Sequence, residues 1–318
     1  MKTRTIALLA AATVLALARP SWAQVEGFRA DRFEMAPSVE DGFVLQGPDT
    51  LGHLRWNANV TLGLAATTLR VTPDEDTSDG FDVVGTRFST YLGFAIGLLD
   101  RFEVDLQIPV ALAQASEGGM QGGFAVQEAG STALGDIRVG GSALLVGKKA
   151  EGFQLGATAM MTLPTGSEDD FNGDGSVGGL LTANAGYRAP SFRVVANAGV
   201  RLRSQADFVT SNQGHELIAR GGVLVPLLDQ KLTASAELDA QLRTGGDDSF
   251  DNVGSPFLGL LAARYNIGSG WHAGAGAGFG LTLAPGSPRY RLLATVGYMP
   301  ETKKTPPPPP GPVDTDKD

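Results

Sequence analysis

Apolar and polar positions alternate with a period of two along most of the chain from Leu54 to Tyr298, and helical periodicity is hard to find there. In Lys231–Arg243, Leu232, Ala234, Ala236, Leu238, Ala240 and Leu242 fall on one face. Lys231, Thr233, Ser235, Glu237, Asp239, Gln241 and Arg243 fall on the other. Phe102–Leu112 sets Phe102, Val104, Leu106, Ile108, Val110 and Leu112 against Glu103, Asp105 and Gln107. Phe192–Arg203 sets Phe192, Val194, Ala196, Ala198, Val200 and Leu202 against Arg193, Asn197, Arg201 and Arg203. The rhythm predicts twelve strands, near residues 54–70, 86–98, 102–114, 134–146, 153–164, 177–188, 192–204, 215–226, 231–243, 256–267, 271–283 and 288–299.

The connections sort by parity. Short turns follow strands two (Leu99–Arg101), four (Gly147–Gly152), six (Ala189–Ser191), eight (Leu227–Gln230) and ten (Gly268–Gly270). Longer, acidic, Gly-rich loops follow strands one, three, five, seven and nine; the brief Ala284–Ser287 after strand eleven is the exception. Short periplasmic turns alternating with long external loops, over an even number of strands, is the grammar of bacterial outer-membrane barrels. The aromatic residues agree. Trp56, Phe102, Phe153, Tyr187, Phe192, Tyr265, Trp271 and Tyr298 fall on the apolar face at the short-turn end, and Phe88, Phe257 and Tyr290 at the opposite end. A sandwich core would place rings mid-strand, whereas two girdles at the headgroup level are what a membrane barrel shows. Lipid offers the backbone no hydrogen-bond partner, so a spanning sheet has to close. The expected fold is all-β: a closed antiparallel transmembrane barrel over 54–299.

Composition narrows the function. Residues 1–23 read as a secretory signal, with Lys2 and Arg4 before the apolar run Ile6–Ala18 and Ser21-Trp22-Ala23 at the cleavage site. Without Lys2, Arg4 and Arg19, 25 basic residues become 22 against 34 acidic, a net of −12, which argues against a nucleic-acid partner. The absence of cysteine removes disulfides and thiolate sites, and three histidines nearly exclude a multi-histidine metal centre. His53, His215 and His272 have no persuasive Ser or Asp partner, so no enzyme is expected.

Residues 24–53 are polar and aperiodic, a periplasmic arm or a partial plug of the barrel. Residues 300–318 form a periplasmic linker, with a polyproline spacer at Pro306–Pro310 and the ending Asp314-Thr315-Asp316-Lys317-Asp318. Asp314, Asp316 and Asp318 form a weak, incomplete calcium site, and no other cofactor is expected. Asp170-Phe171-Asn172-Gly173-Asp174-Gly175 matches the first half of an EF-hand loop. Its twelfth position is Leu181, so a flexible acidic loop is the expectation.

Two family resemblances follow. Asp31–Pro37, Gly42-Phe43-Val44 and Leu51–Arg55 ahead of a barrel resemble the N-terminal portion of large OmpA-family outer-membrane proteins. That resemblance implies a Pro-rich linker, calcium repeats and a peptidoglycan-binding domain; the chain stops at the first repeat, so peptidoglycan association is not carried over. Gly135–Gly141 and Leu163-Pro164-Thr165-Gly166 are similar to outer-membrane transporters of phenol-degradation pathways.

The positions predicted to line the pore are Arg87, Glu103, Asp105, Asp136, Arg138, Arg193, Arg201, Arg203, Arg220, Glu237, Asp239, Arg243, Arg264 and Arg291, with Arg55, Glu216 and Arg289 also on the inward face. Such a lining suits a narrow outer-membrane channel for small solutes or ions, its partners being those solutes and the surrounding lipid. The alternative is a structural anchor whose lumen is plugged. An open lumen favours the first, and lumen charges paired throughout, or residues 24–53 folded inside, favour the second.

Overall fold

The computed structural model describes residues 27–71, 80–121, 124–126, 128–149, 151–208, 211–244 and 254–301. The signal segment and the Pro-rich tail with Asp314, Asp316 and Asp318 lie outside the described residues. Twelve long strands form the wall: β1 Trp56–Val71, β2 Phe81–Leu98, β3 Phe102–Gln114, β4 Arg138–Lys148, β5 Glu151–Thr162, β6 Gly178–Arg188, β7 Arg193–Leu202, β8 Glu216–Leu227, β9 Leu232–Arg243, β10 Phe257–Gly268, β11 Trp271–Gly280 and β12 Tyr290–Tyr298.

Each strand pairs antiparallel with the next, and β1 pairs with β12 from Ala58↔Tyr298 to Ala66↔Tyr290, which closes the barrel. The ladder between β3 and β4 runs only from Phe102↔Ala143 to Gln107↔Arg138; beyond it β3 pairs with the two-residue strand Ala133–Leu134. Closure removes the open edges that lipid cannot satisfy.

The two-residue period appears as alternating burial, for example in β12, where Arg291, Leu293 and Thr295 are buried and Leu292 and Val296 exposed. The outward residues are apolar along every strand, with Val60, Leu106, Leu181, Leu238 and Leu261 among them. That face meets lipid, and the polar positions turn to the lumen. At the short-turn end the rings meet across the closing seam. Trp56 lies 6.2 Å from Phe94 and 5.7 Å from Tyr298, and Trp271 lies 5.0 Å from Tyr298. The turn between β2 and β3 holds Leu99 and Asp100 at φ 54° and 58°, the left-handed pair whose twist suits a tight hairpin.

Three boundaries depart most from the alternation pattern, one of them β4, which starts at Arg138 and not at 134. β2 starts at Phe81, five residues before the expected 86, because its first residues are buried under loop residues at the long-loop mouth. There Val83 and Val84 join Phe28, Leu69, Val126, Ala129 and Phe171 in a buried cluster over the long-loop mouth. Strand eleven stops at Gly280, short of 283.

Candidate functional site

The lumen is filled by residues 27–53, which do not lie outside as an arm. At the long-loop mouth Phe28 and Ala30 belong to the cluster with Val83 and Phe171. In the middle Phe33, Met35, Phe43, Val44 and Leu45 pack with Tyr91, Val195, Leu224, Leu258, Leu260 and Leu293 of the wall. At the short-turn end Val39 and Leu51 pack with Ala95 and Met299. The segment thus runs the length of the barrel before entering β1. A stretch with this many large apolar side chains loses roughly 1.5–3 kcal/mol per side chain if left in water, and the lumen is where they are covered.

Charge holds it in place. The segment carries Arg29 and Arg32 against Asp31, Glu34, Glu40, Asp41 and Asp49, a net of −3. The residues predicted to line the pore are nine arginines against Glu103, Asp105, Asp136, Glu237 and Asp239, and Arg188 adds an ion pair with Asp49 at 3.2 Å, so the lining that meets the segment is basic. Glu34 sits among guanidiniums: Arg138 at 2.8 Å, Arg220 at 3.1 Å, Arg29 at 3.5 Å, and Arg201 closer still. Asp31 accepts from Arg291 at 2.6 Å and from the Tyr91 hydroxyl at 3.0 Å. Arg32 pairs with Glu216, which also pairs with Arg201 at 3.0 Å.

The wall reciprocates with backbone contacts. Glu237 accepts N–H groups of Phe43, Val44 and Leu45 at 3.0, 2.8 and 3.2 Å, and Glu103 accepts Leu51 N–H at 2.7 Å. Arg264 donates to the Val39 carbonyl at 2.6 Å with its guanidinium 5.0 Å from the Phe43 ring centroid. Arg193 donates to the Glu40 carbonyl at 3.0 Å and lies 3.5 Å from Asp41.

All fourteen predicted pore residues lie on the inner side, thirteen of them buried and Arg264 half-buried. Arg87 bonds Gln114 and Asn172, Asp105 accepts from Ser142, and Arg220 pairs with Asp239 at 2.8 Å. Arg203 pairs with Asp174, Asp136 accepts Gly166 and Asp174 N–H groups, and Arg243 is 3% exposed. Arg289 is the misplacement: it precedes β12 and is exposed, because the strand and its alternation start one residue later.

Sequence reasoning did not single out Asp31, Phe33, Glu34, Asp41 and Tyr91. The available signal was the segment's acidic excess and its six large apolar residues from Phe33 to Leu45. The side chains of the half EF-hand are engaged by protein groups. Asp170 accepts from Gly130 N–H and Ser167, Asn172 accepts from Arg87, and Asp174 pairs with Arg203, so the loop is tied over the mouth instead of hanging free. Among the described residues no cluster of acids and histidines is arranged for a metal.

Two of the segment's carboxylates are strongly perturbed. Burial pushes Asp31 up, but Arg291 and Arg87 outweigh it and hold the carboxyl down at about 2. For Asp41 burial wins over Arg193, and its carboxyl is pushed up to about 6. Burial also works against the ionised Glu34, yet the arginines around it hold its carboxyl well below the usual carboxylate range.

What space is left is small. A cavity of about 20 Å³ lies between Phe33, Tyr91, Val110, Arg29 and Arg138, and one of about 10 Å³ lies on the far side of Phe33, by Leu258 and Arg291. The first holds a water molecule, and neither holds an aromatic ring. Phe33 stands between them, its edge to Tyr91 at 5.3 Å and its face under Arg291 at 4.4 Å.

A comparison with curated proteins finds no match. Among solved structures, an outer membrane channel from Pseudomonas putida F1 is similar at 16% identity, over 79% of this chain and 97% of that one, with a TM-score of 0.59. The NanC porin is similar at 7% identity, over 77% of this chain and 100% of that one, with a TM-score of 0.49. The CymD monoaromatic hydrocarbon channel is similar at 10% identity, over 80% and 90%, with a TM-score of 0.46. The first of these has the same barrel fold. The OmpA-family resemblance receives no support, and its motif Asp31–Pro37 is the portion of chain that fills the lumen. A protein-family comparison instead matches residues 65–287, which takes in both Gly135–Gly141 and Leu163–Gly166. With most of the wall covered by that match, the chain belongs to the family described as "Putative MetA-pathway of phenol degradation".

Proposed function

We propose that the protein is an outer-membrane channel for small solutes, in which residues 27–53 form an internal plug that has to shift for a solute to pass. The observation that carries this reading is the combination of a closed, lipid-faced barrel with a lumen filled by a separate segment instead of by the wall's own side chains. The family description points to small aromatic solutes as the cargo. A phenol-sized ring does not fit the cavities beside Phe33, so passage requires movement of the segment. The ties are ion pairs, hydrogen bonds and apolar contacts with the wall, and water can replace the polar ones when they separate.

The filled lumen favours a second reading, an envelope anchor that conducts nothing. Planar-bilayer recording separates the two. The channel reading expects small or rare steps from the intact protein and large discrete steps after deletion of residues 27–53, with faster phenol entry into vesicles. A folded deletion variant that stays silent and impermeable to phenol rejects it and leaves the anchor.

A further inference from the structure

The surroundings of Glu34 have the composition of a ligand site. Its carboxylate is 3% exposed, and Arg138, Arg201 and Arg220 converge on it from three strands of the wall, β4, β7 and β8, with Arg29 closing the fourth side. Arg201 and Arg220 also pair with Glu216 and Asp239, whereas Arg138 has its ion pair with Glu34 alone among the described residues. The cluster holds more donors than Glu34 uses: the Nε groups of Arg29 and Arg138 are buried and make no hydrogen bond, the first lying 4.0 Å from Asp174. Planar guanidiniums present paired donors that match a carboxylate's two oxygens, and a buried one left without an anion is costly. The 20 Å³ cavity opens beside Arg29 and Arg138, so the cage has space next to it.

We propose that this arginine cluster is a carboxylate-binding site of the lumen, which the chain fills with its own Glu34 and which a small monocarboxylate takes when that side chain is withdrawn. Wall charge supports it. The segment brings −3 to a lining rich in arginine, so its departure leaves an anion-attracting passage with Arg138 unpaired. Binding at this site does not require that the barrel conduct, so the inference stands or falls apart from the channel reading.

The test uses the purified full chain with Glu34→Ala, which removes the equivalent of one acetate from the cage, and Glu34→Gln, which keeps the volume and removes the charge. The readout is the midpoint of thermal unfolding in acetate and in chloride at matched ionic strength. The expected result is a saturable rise in the Glu34→Ala midpoint with acetate, recovering most of the loss, with no response in the wild type or Glu34→Gln. An equal response to the two anions, or none, overturns the proposal. If Glu34→Ala does not fold in chloride, the yield of folded barrel on refolding in acetate is the same test. Rescue supports the site, and failure in both salts counts against it.

Discussion

Arg291 of the last strand donates to Asp31 of the segment ahead of the first strand at 2.6 Å, across 260 positions of sequence. The pair also engages Tyr91, whose hydroxyl lies 3.0 Å from Asp31 and 3.2 Å from Arg291. Three parts of the chain, β2, β12 and the plug, therefore share one buried polar knot. Asp31→Asn keeps its shape and removes its charge, leaving Arg291 buried without a counter-charge. Breaking such a pair costs about 3–5 kcal/mol. The expected outcome is a plug released from an intact wall, read as larger single-channel steps and new protease cleavage within residues 27–53.

The plug's attachment should depend on pH in two opposite senses. Asp31 falls from its ordinary 3.8 to about 2 in place, so its contribution is present above pH 3.8 and lost as pH drops through about 2. Asp41 rises from 3.8 to about 6, so its contribution is full below 3.8 and lost as pH climbs through about 6. Protease access to the segment should therefore increase between about pH 4 and about pH 7. Asp41→Asn should flatten that rise; an unchanged slope contradicts the assignment.

Phe33→Ala should join the two small cavities, since Phe33 is the residue that lines both. Large-to-small changes of this kind cost about 3–5 kcal/mol. The enlarged space is expected to admit phenol, measured as binding to the detergent-solubilised variant by calorimetry, with no binding to the wild type.

Calcium should leave the long-loop mouth unchanged, because Asp170, Asn172 and Asp174 are already engaged by Ser167, Arg87 and Arg203. Limited proteolysis from outside should give the same pattern with calcium and with chelator. Asp174→Asn, which takes the counter-charge from Arg203, should speed cleavage near residues 166–176 in both conditions.

Leu261, exposed at mid-strand on β10 between Ala236 and Ala277, tests the lipid-facing assignment. Leu261→Arg should cost about 2–4 kcal/mol near the bilayer midplane, measured as a loss of refolding into vesicles. An unaffected refolding yield there is incompatible with a lipid-covered face.

The wall was legible in the sequence because a strand that divides lipid from lumen has to alternate, and the alternation of Lys231–Arg243 or Phe102–Leu112 is local. The same alternation placed Arg138, Arg201 and Arg220 on the inner side without showing what they meet. Their partner Glu34 lies in a stretch with no period, and the groups it joins are scattered from Arg29 to Arg220. Contacts of that span leave no local signature. β2 was misjudged at its start for a related reason: at Phe81–Gly85 burial comes from a loop cluster and not from a two-faced sheet.

The position of residues 27–53 fixes an order of assembly. The ring shuts where Ala58–Ala66 meets Tyr290–Tyr298, a pairing that can form only after the whole wall has been made. Until then the sheet is an open trough, and a segment of opposite charge can be laid along it from the side. After closure it could enter only lengthwise, through one mouth of the barrel. The plug is thus the mandrel on which the cylinder is rolled, and a variant that lacks it has to find its curvature without that guide.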